Sequence, residues 1–186
     1  MGTSSSTPSP ATFNWTAASV GYRDAGVPID RVIREIWRAA QRESEGNWAQ
    51  LLAQPIVGSL RAIARSSVSP QDAARLASRA IAESAASSLA TDVARRALVQ
   101  AFAPGDRSIN YVQALFSEAS NYLVSRDLAS FVGPGARSNT VAEAVDFKDG
   151  VRARVRELIG DVVGAQTSSE AWPDIVRSSV ERLRTA

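Results

Sequence analysis

Residues 69–89, SPQDAARLASRAIAESAASSL, decide the fold class. Ser69 offers an N-cap oxygen. Pro70 suits the first helical position, where its missing N–H would have had no partner anyway, and Asp72 puts a negative charge on the positive end of the helix dipole. The pattern predicts a helix over residues 70–89. Along it Ala73, Ala74, Ala77, Ala80, Ala82, Ala85 and Ala86 project only methyl groups, so a second helix can approach closely. Arg75, Arg79 and Glu83 set it apart from a membrane-spanning segment, and no run of about 18 apolar residues occurs in the sequence. Thr91 and Asp92 then either cap a short helix to about Ala103 or continue the first with a bend.

The same grammar extends in both directions. Upstream, Pro28 opens a helix with Ile29, Ile33, Ile36, Trp37 and Ala40 at helical spacing, and Arg31, Arg34, Arg38 and Arg42 on other faces. Glu45-Gly46-Asn47 ends it. Trp48, Leu51, Leu52, Ile56, Leu60 and Ile63 make a second stripe over residues 48–66, in which Pro55 predicts a kink or break. Downstream, Ala103-Pro104-Gly105-Asp106 is a turn, and Asp106 or Ser108 caps a long helix to Arg126 with Ile109, Val112, Phe116, Ala119, Tyr122 and Leu123 on its apolar face. Residues 127–132 add a further turn. Residues 133–139 (GPGARSN) form a loop. Residues 140–147 read as a short helix, which Gly150 separates from a helix over 151–163 with Val151, Val155, Leu158, Ile159, Val162 and Val163 on one side. Ser169 caps a last helix carrying Trp172, Ile175, Val176, Ser179 and Leu183. No alternating run bounded by turn dipeptides reads as a strand, and no repeat of fixed period points to a solenoid. The expected fold is all-α, a compact bundle of about seven or eight helices. Residues 13–186 form a single helical domain behind a disordered tail at residues 1–12, where Ser, Thr and Pro cannot bury enough apolar surface to offset ordering entropy. That tail lacks the charged start and apolar middle of a signal peptide.

Composition bounds the chemistry. Histidine and cysteine are absent from all 186 residues, which removes the usual Ser-His and Cys-His nucleophile pairs, Cys/His zinc sites and disulfides. Of the residues 45% are hydrophobic, ordinary for a globular protein, but 32 are alanine, so core area has to come from close helix packing. Lys148 is the single lysine among 21 basic residues, and the net charge is +2. The pI near 9.5 follows from that small excess without histidine and does not demand a polyanionic partner.

Carboxylates are the main catalytic groups left. Asp146 and Asp149 flank Lys148 at spacing that could share a Mg²⁺ ion, or they are solvated charges at a helix end. Glu118, in an otherwise apolar helix, is either a buried acid or a surface Glu. The loop at Gly133-Pro134-Gly135-Ala136-Arg137 has a flexible backbone and a cation for a phosphate, yet it lacks the Lys-Ser/Thr ending and preceding strand of a P-loop, and a helix connector explains it. Serines such as Ser66, Ser67, Ser84, Ser87 and Ser88 have no histidine base, and no Ser-x-x-Lys spacing occurs. Trp37 and Trp48 lie on apolar stripes, whereas Trp15 and Trp172 sit at element edges, where Trp anchors partners.

These features point to a cytoplasmic, non-catalytic helical interaction or assembly module, a subunit or adaptor of a larger complex, self-associating or bound to another protein. Phe13, Trp15, Ala77, Ala80, Ser84 and Trp172 are the candidate contact residues. The alternative is a nucleic-acid-binding accessory subunit using Arg152, Arg154, Arg156, Arg177, Arg182 and Arg184 on phosphates, although six basic and five acidic residues over 151–186 make a weak field for DNA. No catalytic residue, metal ligand, cofactor or membrane contact is expected.

Overall fold

A computed structural model describes residues 26–43, 48–64, 69–84, 88–126, 132–134, 136–164 and 171–186. The tail at 1–12, Phe13, Trp15, Ser169 and, apart from Val132, the turn expected at 127–132 lie outside the described residues. Seven helices make up the rest: α1 (Ile29–Glu43), α2 (Trp48–Ile63), α3 (Pro70–Glu83), α4 (Ser88–Ala101), α5 (Arg107–Arg126), α6 (Val141–Gly164) and α7 (Trp172–Thr185). Among the described residues the one β-type contact is an isolated bridge between Val132 and Ser138.

The start signal at Ser69 works as expected. Its Oγ accepts the Asp72 N–H at 3.1 Å. The helix ends earlier than its alanines suggest, at Glu83. Ser84 turns extended, with its Oγ donating to the Ile81 carbonyl at 2.6 Å, the local hydrogen bonding by which Ser competes with helix continuation. At the other start signal, Asp106 Oδ1 accepts the N–H groups of Ser108 and Ile109 at 2.8 and 3.0 Å.

Helix α5 is the hub, packed against α1, α2, α4 and α6. One apolar face was the expectation, but burial runs almost continuously round the helix from Tyr111 to Ser120. Such a helix lies inside the bundle rather than on it. Other helices bring partners to some of its polar groups. Trp37 Nε1 of α1 donates to Ser120 Oγ at 2.9 Å, with the Trp37 ring 5.7 Å from that of Phe116.

Neither Pro55 nor Gly150 breaks its helix. Helix α2 runs through Pro55 and α6 runs through Gly150. Pro55 is buried, and α2 packs on α3, α4, α5 and α7, so tertiary contact outweighs one missing backbone donor. A Cβ at position 150 would stand 3.4 Å from Ile29 Cδ1, an ordinary contact distance, so Gly150 lies against α1 within a continuous helix. Helix α6 begins with bonding close to a capping box: the Glu143 N–H donates to Thr140 Oγ1, and the Glu143 carboxylate accepts from the N–H of Asn139, one residue before the cap. The last carbonyls of α7 are held by α1, through Arg34 to Ala186 at 2.7 Å and Arg38 to Arg184 at 3.0 Å.

Ser59 and Tyr111 join α2 to α5. Ser59 Oγ donates to the Pro55 carbonyl at 2.6 Å, and the Tyr111 hydroxyl lies 3.2 Å from that Oγ. Burial pushes the Tyr111 hydroxyl up to about 12, against the opposing pull of Ser59. The unfolded chain therefore ionises Tyr111 first. The contribution of Tyr111 is complete below pH 10 and fades as pH rises toward 12, a loss of about 2–3 kcal/mol. In Tyr111→Phe, urea unfolding at neutral pH is expected to show a cost of about 1 kcal/mol for the hydrogen bond, and the decline between pH 10 and 12 should become shallower.

Candidate functional site

The six candidate arginines do not share one face. Arg152 and Arg156, one turn apart on α6, reach toward α5 and α4. Arg152 is bonded to Glu118 and lies 3.4 Å from Asp149. Burial works against its charge, but the hydrogen bond and charge of Glu118, with those of Asp149, raise its pKa overall. Arg154 faces the opposite way and grips Asp30 of α1 with Nε at 2.6 Å and Nη2 at 2.8 Å, while its Nη1 reaches Glu157. Arg177 and Arg184 pair with Asp174 and Glu181 on their own helix, and Arg182 donates to the Leu158 carbonyl at 3.4 Å.

The bidentate bond from Arg154 lowers the Asp30 pKa below its ordinary 3.8 in spite of partial burial. The folded state thus holds this carboxylate ionised where the unfolded chain would protonate it. The resulting stability is present above pH 3.8 and is lost as pH falls through the depressed value. Asp30→Asn is expected to lower Tm at pH 7, with the difference from wild type narrowing below pH 3.8 in a pH series of thermal melts.

Glu118 is buried, not a surface residue: only 4% of it is exposed. Its Oε1 accepts from Arg152 and, at 3.0 Å, from Gln100 Nε2 of α4. The Gln100 Oε1 accepts from Arg156 Nη2, and Arg156 Nε donates to Ser117 Oγ at 3.3 Å. Asp149, Arg152, Glu118, Gln100, Arg156 and Ser117 therefore form one continuous polar seam where α4, α5 and α6 meet. Of the three acids raised by the sequence, Glu118 and Asp149 meet at Arg152, and Asp146 is not part of the seam. Among the described residues, no three side chains of ligating type come together as a metal site would need.

The seam opens into a cleft of about 470 Å³ lined by Val99, Gln100, Phe102, Ala103, Asn110, Gln113 and Arg156. Its walls are the end of α4, Phe102 and Ala103 at the start of the 102–106 turn, the first turns of α5 and Arg156 of α6. Asn110 Nδ2 fixes that turn by donating to the Ala103 carbonyl at 2.9 Å. Val99 is 81% exposed at the lip. It stands on the polar face of α4, at i+7 from Asp92 and i+3 from Arg96, while Val93, Ala94, Ala97, Leu98 and Ala101 enter the core. A lone valine on a charged face was the available sequence signal for this site, and periodicity aimed at buried stripes passes over it.

Of the expected contact residues, Ala77 and Trp172 lie in the core of the bundle, 0% and 8% exposed, so their contacts are within the chain. Ala80 is half-buried, with its Cβ 3.1 Å from where a Cβ on Gly58 would be. Ser84 caps α3. The small-residue face of α3 is thus largely occupied by α2. Loop residue Arg137 bonds the Val27 carbonyl and stacks 4.4 Å over the Phe147 ring, tying the loop to the bundle as a connector. Among the described residues no helix is long and apolar enough to cross a membrane. No protein family, curated protein or solved structure matches the chain.

Proposed function

We propose that this chain is a non-catalytic helical contact module of the cytoplasm, joining a larger assembly through the cleft at the α4–α5 turn. The observation that carries this is Val99, an apolar side chain 81% exposed at the lip of a cleft with mixed apolar and polar walls. The cleft volume falls in the range of recognition sites, and its Asn, Gln and Arg side chains supply hydrogen-bonding groups around an apolar patch. A nucleic-acid contact has less support. Of the six candidate arginines, Arg152, Arg154, Arg177 and Arg184 each carry an intramolecular carboxylate, and the remaining two, Arg156 and Arg182, make a weak field for a phosphate backbone.

Site-specific photocrosslinking tests the proposal. Benzoylphenylalanine in place of Val99 is expected to give a discrete adduct in the native cell extract, and the same group in place of exposed Asp161 on α6 is not. Equal labelling at both positions, or none at 99, would contradict it.

A further inference from the structure

We infer that the cleft receives an acidic segment of a protein partner, with a carboxylate seated on Arg156; this rests on the contact-module function proposed above. Arg156 differs from its neighbours on α6. Arg152 and Arg154 are neutralised by Glu118, Asp149, Asp30 and Glu157. Arg156 is held by two neutral acceptors, Gln100 Oε1 and Ser117 Oγ, and has no carboxylate partner among the described residues. Gln100 cannot turn away, because its Nε2 donates to Glu118. The guanidinium is therefore oriented in advance with its charge unmet, and pre-organisation of this kind lowers the entropic cost of binding.

A second cation stands beside the cleft. Arg107 lies 5.5 Å over the Phe102 ring, and its Nη1 is buried without a hydrogen-bond partner. Asp106, the residue before it, uses Oδ1 on the N–H groups of Ser108 and Ile109. No acid lines the cleft, so its charge is complementary to an anion. The remaining lining defines what carries that anion. Val99 and Phe102 offer an apolar surface for an aliphatic side chain. The Gln113 amide has no intramolecular hydrogen bond among the described residues and can both donate to and accept from a peptide main chain. Val99 and Ala103 are exposed, so the walls are too open to enclose a small carboxylate, which needs most of its surface covered. A chain segment laid across the cleft needs no such enclosure.

Nuclear magnetic resonance titration of the full chain with end-blocked peptides tests this. One peptide alternates Glu and Leu, a second replaces Glu by Gln, and a third replaces it by Lys; free glutarate is the small-molecule control. The Glu peptide is expected to shift resonances over residues 99–113 and at Arg156, with Kd at least about tenfold tighter than the Gln peptide, equivalent to about 1.4 kcal/mol. Arg156→Gln should erase that preference, and Arg156→Lys should keep part of it, with the fold of both variants checked by circular dichroism. Equal affinity for the Glu and Gln peptides, shifts centred elsewhere, or glutarate binding as tightly as the Glu peptide would overturn the inference. If the preference fails while crosslinking at position 99 succeeds, the acidic partner falls and the contact module stands; if both fail, both fall.

Discussion

Trp37→Ala is expected to destabilise the protein by about 3–5 kcal/mol, the cost of removing a large aromatic side chain from a packed core. Trp37 is 0% exposed and packs against Phe116 across the α1–α5 contact. The substitution removes its buried area, leaves a cavity between α1 and α5, and takes from buried Ser120 Oγ the donor it now accepts from. Domains of this size have total stabilities of about 5–15 kcal/mol, so the variant should unfold about 6–20 °C below wild type in calorimetry. Trp37→Phe separates the contributions. It retains most of the packing and loses the indole N–H, for an expected cost of about 1–2 kcal/mol. A Trp37→Ala cost near 1 kcal/mol would mean that α1 is loosely attached to the bundle.

Arg152→Met carries the second large effect. Glu118 is nearly fully buried, and Arg152 is its charged partner. Removing one member of a buried pair leaves an uncompensated charge, for which about 3–5 kcal/mol is typical. The lower end, about 3 kcal/mol, is expected because Arg152 is itself a third exposed and water can partly replace it. The double substitution Glu118→Leu with Arg152→Met removes both charges and keeps comparable volume. It should return to within about 1 kcal/mol of wild type, since hydrophobic replacement of a whole buried pair is often near neutral. Gln100, freed from Glu118, is only half-buried and can turn to solvent. Urea denaturation of the two single variants and the double variant reads the coupling directly. Additive losses would show that Glu118 is not held by Arg152.

The all-helical architecture was legible because cap residues act locally. Ser69 and Asp106 bond N–H groups two or three residues away, so four or five letters suffice to place a helix start. As helix breaks, Pro55 and Gly150 mislead for the converse reason. Their local cost is real, but each sits where a neighbouring helix packs, and that contact lies far away in sequence. Helix α5 shows the same limit from the other side. Its serines and Glu118 look like a polar face until Trp37, Gln100 and Arg152 arrive from other helices to match them. The candidate site was the least legible part. Ala77 reads as a contact residue from its size and Trp172 from its type and its place at an element edge, but the bundle uses both internally. Arg156 was among the arginines chosen, but its pairing state depends on Gln100, 56 residues away. Val99 carried the clearest mark, an apolar side chain on the Asp92–Arg96 face of α4.

The most direct test of the contact role is amide hydrogen exchange, measured on the chain alone and in complex with the partner captured through position 99. Slowed exchange concentrated in residues 99–113 and in the turn of α6 around Arg156 is the expected result. An unchanged cleft, with protection instead along α7 beside Arg177 and Arg182, would contradict it.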